Sequence, residues 1–337
     1  MTARRVATLT MAVVVAGTMA AGCSQTTGGP AAGPRHAASP GHAGTTSATS
    51  AAELRASVNA LLAEHVVLAA AATGAALGGR EAEFAAAAEA LDGNSVDIAR
   101  AIGSVYGADA ERAFLPLWRR HIGFVVDYTT GVATQDRGKQ EQAVASLVAY
   151  SRDLGAFLGA ANPNLPKAVV ADLVKHHVVT LKEVVDAQAG TDPRRTQQAV
   201  RAAYAHMQRI GDPLSAAIAR QFPERFQGSS DSAASSLRTT LNLALREHVY
   251  LAAAATGAAL GGREAEFAAA AEALDGNSVD IARAIGSVYG ADAERAFLPL
   301  WRRHIGFVVD YTTGVATQDR GKQEQAVASL VAYSRDL

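Results

Sequence analysis

The sequence predicts an all-α protein made of helical hairpins, and three observations carry that expectation. Apolar residues make up 49% of the 337-residue chain, and alanine dominates them, while aromatics reach only 6%. Alanine is the strongest helix former and lets helices pack closely. A pattern Leu-x-x-x-His-(Val/Ile) recurs at Leu61…His65-Val66, Leu117…His121-Ile122 and Leu173…His177-Val178, each step being 56 residues. Glycine and proline stops fall between apolar stretches of about 23–30 residues, the length of one helix and its turn.

Residues 1–23 read as an export signal. Arg4 and Arg5 precede an apolar run from Val6 to Met19, and the small residues Ala20-Ala21-Gly22 lead into Cys23. The run is shorter than the roughly 20 apolar residues that span a bilayer. Ala20-Ala21-Gly22-Cys23 resembles the lipobox of bacterial lipoproteins, with Ala20 where that motif usually carries Leu. The resemblance implies that Cys23 is lipidated and becomes the mature N-terminus. It also implies an extracytoplasmic protein anchored to the cell membrane by a lipid, with the membrane as its partner. Cys23 is the single cysteine, so no disulfide forms within the chain. Residues 24–50 are rich in Gly, Ser, Thr, Ala and Pro and read as a flexible tether.

Six helices are expected in residues 52–227. The first spans roughly 52–77 and stops at Gly78-Gly79. The second covers about 80–106 and ends at Gly107, with Asp92-Gly93-Asn94 as an interruption; Asn94 would cap the restarted segment, with Asp97 three residues on. The third covers about 109–134, and Pro116 should kink or restart it. The fourth runs over about 137–160 to Asn162-Pro163, the fifth from Pro166 to about Gln188, and the sixth from Pro193 to Phe222-Pro223 with a break at Gly211-Asp212-Pro213. Together they would form an up-down bundle of three hairpins.

Residues 228–235 are a Gly/Ser-rich linker. Beyond them, Leu251–Leu337 repeats Leu68–Leu154 without a single change, and Ser236–Tyr250 is a diverged copy of Glu53–Val67. Residues 236–337 are thus expected to be a truncated second copy of the helical domain, carrying His248 and His304 and no counterpart of the third hairpin. Hairpins bury their apolar faces against neighbours. The second copy should therefore expose apolar surface, and self-association through it is one expected outcome.

Charge excludes one class of function. With 31 basic and 32 acidic residues and a net charge of −1, no basic footprint for nucleic acid is present. Trp118-Arg119-Arg120 reads as a solvated flank of the third helix. The chemistry lies with the histidines. On a helical wheel His65, His121 and His177 fall within apolar stripes and should point inward, as should His206 on the sixth helix. Four imidazoles inside a bundle are suited to Zn, Cu(II) or Fe, with Asn94, Asp97 and Asp153 as supporting groups. A thiolate or Met-rich Cu(I) site is disfavoured by the lone cysteine and four methionines. The plainer expectation is that these histidines are hydrogen-bonded core residues.

Leu-x-x-x-His, Asn94-x-x-Asp97-Ile98, His121-Ile122, Asp153-Leu154-x-x-Phe157-Leu158-x-x-Ala161-Asn162-Pro163, His177 and Gln221-Phe222-Pro223-x-x-Phe226 together resemble an uncharacterised family of secreted bacterial all-α proteins. The resemblance covers about 53–226 and part of 236–337, and implies a fold without an activity. Three functions follow as expectations: a cell-surface lipid-anchored helical binding module with a transition metal or cofactor as candidate ligand; a structural or interaction lipoprotein with core histidines; and a helical-bundle metalloenzyme, for which Asp97 or Asp153 must join the histidines.

Overall fold

The computed structural model describes residues 47–337; the export segment, Cys23 and most of the tether lie outside them. The described residues form ten helices and no strand. Six come from the first region: α1 (Ser50–Leu77), α2 (Glu81–Tyr106), α3 (Ala108–Ala133), α4 (Arg137–Ala161), α5 (Lys167–Ala189) and α6 (Pro193–Gln221). Four follow: α7 (Ala233–Leu260), α8 (Glu264–Tyr289), α9 (Ala291–Ala316) and α10 (Arg320–Tyr333).

Local chemistry sets the helix ends. Thr49 Oγ1 accepts from Ala52 N, Asp136 Oδ1 from Lys139 N and Asp192 Oδ1 from Arg195 N, so α1, α4 and α6 each begin on a side-chain cap. Gly107 turns α2 into α3 at φ +91°, a conformation that disfavours any side chain.

Among α1–α6 each helix packs on its sequence neighbour, and α6 closes the ring by packing on α1. The odd helices also meet one another: α1 touches α3 and α5, and α3 touches α5. They therefore share the centre of the bundle, with the even helices outside. α1 is the most enclosed, being covered by α2, α6, α5, α3 and α7. That explains a segment apolar enough by length and composition to cross a membrane, yet largely buried here. Leu62, Val66, Ile98, Phe114, Trp118, Leu147, Tyr150, Val174, Leu181 and Met207 belong to one continuous core. The approach of α4 to α5 is close: a Cβ on Gly155 would stand 2.5 Å from Lys167 O.

Three expected interruptions are absent. α2 continues through Asp92-Gly93-Asn94 because Asn94 is no cap; its Nδ2 donates across to Leu61 O and Glu64 Oε2 of α1. α3 continues through Pro116, held on both sides by the buried rings of Phe114 and Trp118. α6 continues through Pro213, since Asp212 is clamped by Arg55 at 2.6 and 2.8 Å and by Asn59 at 2.8 Å, all from α1. Tertiary contacts thus outweigh the local cost of a proline, about 3 kcal/mol.

The second copy docks on the first, α7 against α1 and α8 against α6. Arg201 of α6 bridges Glu247 of α7 at 2.9 Å and Asp280 of α8 at 2.7 Å. Tyr250 Oη donates to Glu64, and Tyr204 Oη to Leu243 O. Tyr250 and Leu243 fall in the diverged stretch 236–250, so the residues that differ from the first copy include those that make this joint. Elsewhere α7–α10 is open: Val249, Val288, Tyr289 and Val331 are exposed, and Phe297 and Trp301 are only half-buried where Phe114 and Trp118 are fully enclosed.

Candidate metal centre

α1, α3 and α5 each carry one histidine on the face turned to the bundle axis. His65, His121 and His177 are 1%, 3% and 6% exposed, and each can offer a ring nitrogen such that all three lie within 4.8 Å of one another. The rings of His65 and His121 are 5.2 Å apart, and those of His65 and His177 5.8 Å, centre to centre. Three residues spread over more than a hundred positions thus converge because the odd helices share the core.

The hydrogen bonds are unequal. His121 Nδ1 faces Trp118 O, a pure acceptor, so that nitrogen carries the proton and Nε2 presents its lone pair. His121 Nε2 lies 3.2 Å from His65 Nε2, which must then be the donor of that pair. His65 Nδ1 has no partner among the described residues, and neither nitrogen of His177 has one. A buried polar atom left unmade costs about 1–3 kcal/mol. A bound ion would satisfy such a set.

Aromatic rings fix the orientation. Trp118 packs against His65 at 5.0 Å and His121 at 4.5 Å, and Tyr150 stacks on His121 at 4.9 Å. Burial is the main cause of altered basicity. It holds His65 well below the ordinary histidine value, with the neighbouring His121 adding to the effect, and lowers both His121 and His177 to about 3. All three are neutral at physiological pH, which is the metal-ligating form. Two apolar cavities adjoin them. One, about 110 Å³, lies beside His65 and His121 against Ala69, Leu91 and Val125; a smaller one, about 20 Å³, reaches His177.

No known family model, curated protein or solved structure matches this chain.

Several expected members of the site lie elsewhere. His206 is buried, but its ring stacks on His176 at 4.3 Å and its Nε2 lies 3.1 Å from Leu173 O. It sits on an outer helix and reaches the backbone of α5 without passing it to the axis. Asp97 pairs with Arg100 and Asp153 with Arg120, both on the surface. Their helices are also outer ones, and the charged carboxylates keep to water. Asn94 Nδ2 holds α2 to α1, and its Oδ1 is buried without a hydrogen-bond partner among the described residues. Trp118 is not part of a solvated flank: it is 7% exposed and part of the site wall, while Arg119 and Arg120 alone face solvent and pair with Asp92 and Asp153. Its place was readable, since Phe114, Trp118 and His121 follow helical spacing along one stripe. Tyr150 and Glu64 were likewise unassigned; the first needs the fold to meet His121, the second to meet Asn94.

The second copy repeats the pair alone. His248 Nε2 and His304 Nε2 are 3.2 Å apart beside Trp301 and Tyr333, next to a cavity of about 230 Å³.

Proposed function

We propose that this chain is an exported, lipid-anchored helical binding module that holds one transition-metal ion at His65, His121 and His177. The observation that carries the reading is the convergence of three buried imidazoles from three helices, one of them with both nitrogens unpartnered. A core that merely tolerated histidine would pair each ring with backbone or side-chain acceptors. Neutral imidazoles, an apolar surround and aromatic rings that fix the ligands are the features of a preorganised site. Anchoring through Cys23 rests on the N-terminal sequence and would place the site outside the cytoplasm.

The test is to purify the untagged chain, measure bound metal by mass spectrometry, and repeat with His177→Leu. One equivalent bound by the parent and missing from the variant is the expected result. A parent that binds no metal and gains no thermal stability from metal salts would refute the proposal.

A second reading keeps the histidines as structural core groups of an interaction protein. The His248–His304 contact favours it, because there the same hydrogen-bonded pair occurs without a third ring. A metalloenzyme is the weakest of the three readings, since Asp97 and Asp153 are engaged in surface ion pairs.

A further inference from the structure

We infer that the ion this centre selects is monovalent and soft, namely Cu(I) held by three imidazole nitrogens, in preference to Zn(II) or another dication. The inference rests on the metal-site reading above and specifies the charge state of the ligand.

Charge decides it. The cluster contains three imidazoles, a donor type that brings no negative charge to an ion, and no carboxylate or thiolate. The free energy of moving an ion out of water scales with the square of its charge, so a dication costs about four times as much as a monocation. Sites for divalent ions usually reduce that cost with anionic ligands or nearby carboxylates. Here Asp97 and Asp153 are on the surface, and Glu64 is directed to Asn94 and Tyr250. Among the described residues lining the two adjoining cavities, Lys182 alone is charged, and it is a cation already paired with Asp186 at 2.6 Å. A second positive charge would therefore stand in the apolar centre without compensation.

Coordination number points the same way. Three ring nitrogens complete the shell of a trigonal d10 monocation. Zn(II) takes a fourth ligand, in catalytic sites a water. Beside these rings the walls are chiefly Ala69, Ala72, Leu91, Val125 and Leu181, and Thr73 and Thr129 already donate to Gln188 Oε1 or their own helix carbonyls. The sequence argues against a copper site built of thiolate or thioether. An all-imidazole site is a separate route to the same ion, and imidazole suits copper.

The experiment is a competition titration of the full chain under nitrogen. Cu(I) is kept reduced by ascorbate and competes against bicinchoninate, with parallel titrations of Zn(II) and Cu(II) against suitable chelators. The expected result is one Cu(I) bound at least about a hundredfold tighter than Zn(II), and lost in His177→Leu. X-ray absorption of the loaded parent chain should give the edge feature of three-coordinate Cu(I) with nitrogen neighbours only, a readout that does not depend on the variant folding. Zn(II) or Cu(II) bound at His177 as tightly as Cu(I) would overturn this inference and leave the metal centre standing. Cu(I) retained undiminished in a folded His177→Leu chain would overturn it too, leaving the ion on a histidine pair, His65–His121 or His248–His304. If none of the three ions binds, both the inference and the metal-centre reading fail.

Discussion

His177 faces His65 across the bundle axis at 5.8 Å, and neither of its ring nitrogens has a hydrogen-bond partner among the described residues. His65 and His121, by contrast, satisfy each other in part. The third ring is thus the one whose presence the fold by itself does not reward.

Replacing it should separate stability from binding. His177→Leu removes two unmade hydrogen bonds and keeps an apolar filling, so the metal-free chain is expected to be unchanged or about 1 kcal/mol more stable. Any stabilisation by added metal should vanish with it. Urea unfolding with and without metal checks both; a loss of several kcal/mol in the metal-free state would show that the ring is a structural partner.

Acid should unfold the bundle through these same residues. His121 and His177 are lowered to about 3, and His65 is also held well below 6.5. As pH falls, the unfolded chain therefore takes up protons first. The stabilisation from His121 and His177 is complete above about pH 6.5 and is lost progressively towards about pH 3, at about 1.4 kcal/mol per pH unit for each ring, and His65 acts in the same direction. His121 and His177 together give about 3 kcal/mol per unit, enough to consume much of a typical stability of about 5–15 kcal/mol within a few units. Helical circular dichroism against pH, with urea midpoints at each point, should show that slope. Stability that stays flat between about pH 6.5 and 4.5 would contradict it.

Identical sequence in two environments offers a paired test. Trp118 is 7% exposed between Phe114, His65 and His121, whereas its copy Trp301 is half-buried. Trp118→Ala should cost about 3–5 kcal/mol, the usual loss for a large buried aromatic, and Trp301→Ala clearly less. Equal losses by denaturant unfolding would mean that the two pockets are equally closed.

Arg201 is the centre of the joint between the copies, touching Glu247 and Asp280 at once. The pairs are partly buried, so Arg201→Ala should weaken docking by about 1–3 kcal/mol, more than an exposed ion pair would. Limited proteolysis should then cut residues 233–333 sooner while 50–221 persists. Cleavage at the parent's rate in both regions would remove Arg201 from that role.

Much of this architecture is legible in the chain itself. The all-α class, the positions of the first six helices to within a few residues and the inward direction of His65, His121 and His177 all follow from periodicity and stop signals. Two things do not. Gly93, Pro116 and Pro213 look like breaks because local propensity is blind to Asn94 reaching Leu61 or Arg55 holding Asp212. His206 looks equal to the other three because a helical wheel gives direction and not depth. In the structure it belongs with Asn94: each side chain reaches from an outer helix to the carbonyl four residues before an inner histidine, Leu61 in one case and Leu173 in the other. Which helices are inner and which outer is a property of the closed ring, and no single stripe of sequence contains it.

The order of that ring has a consequence for how the protein matures. Each imidazole arrives on a separate hairpin, so a chain emerging from its N-terminus presents first one ring, then two, and gains the third only with α5. The three-point grip exists only once α5 has packed against both α1 and α3. An ion held there, as proposed above, would report that α1, α3 and α5 had come together, and a nascent or misfolded chain would hold such an ion loosely or not at all.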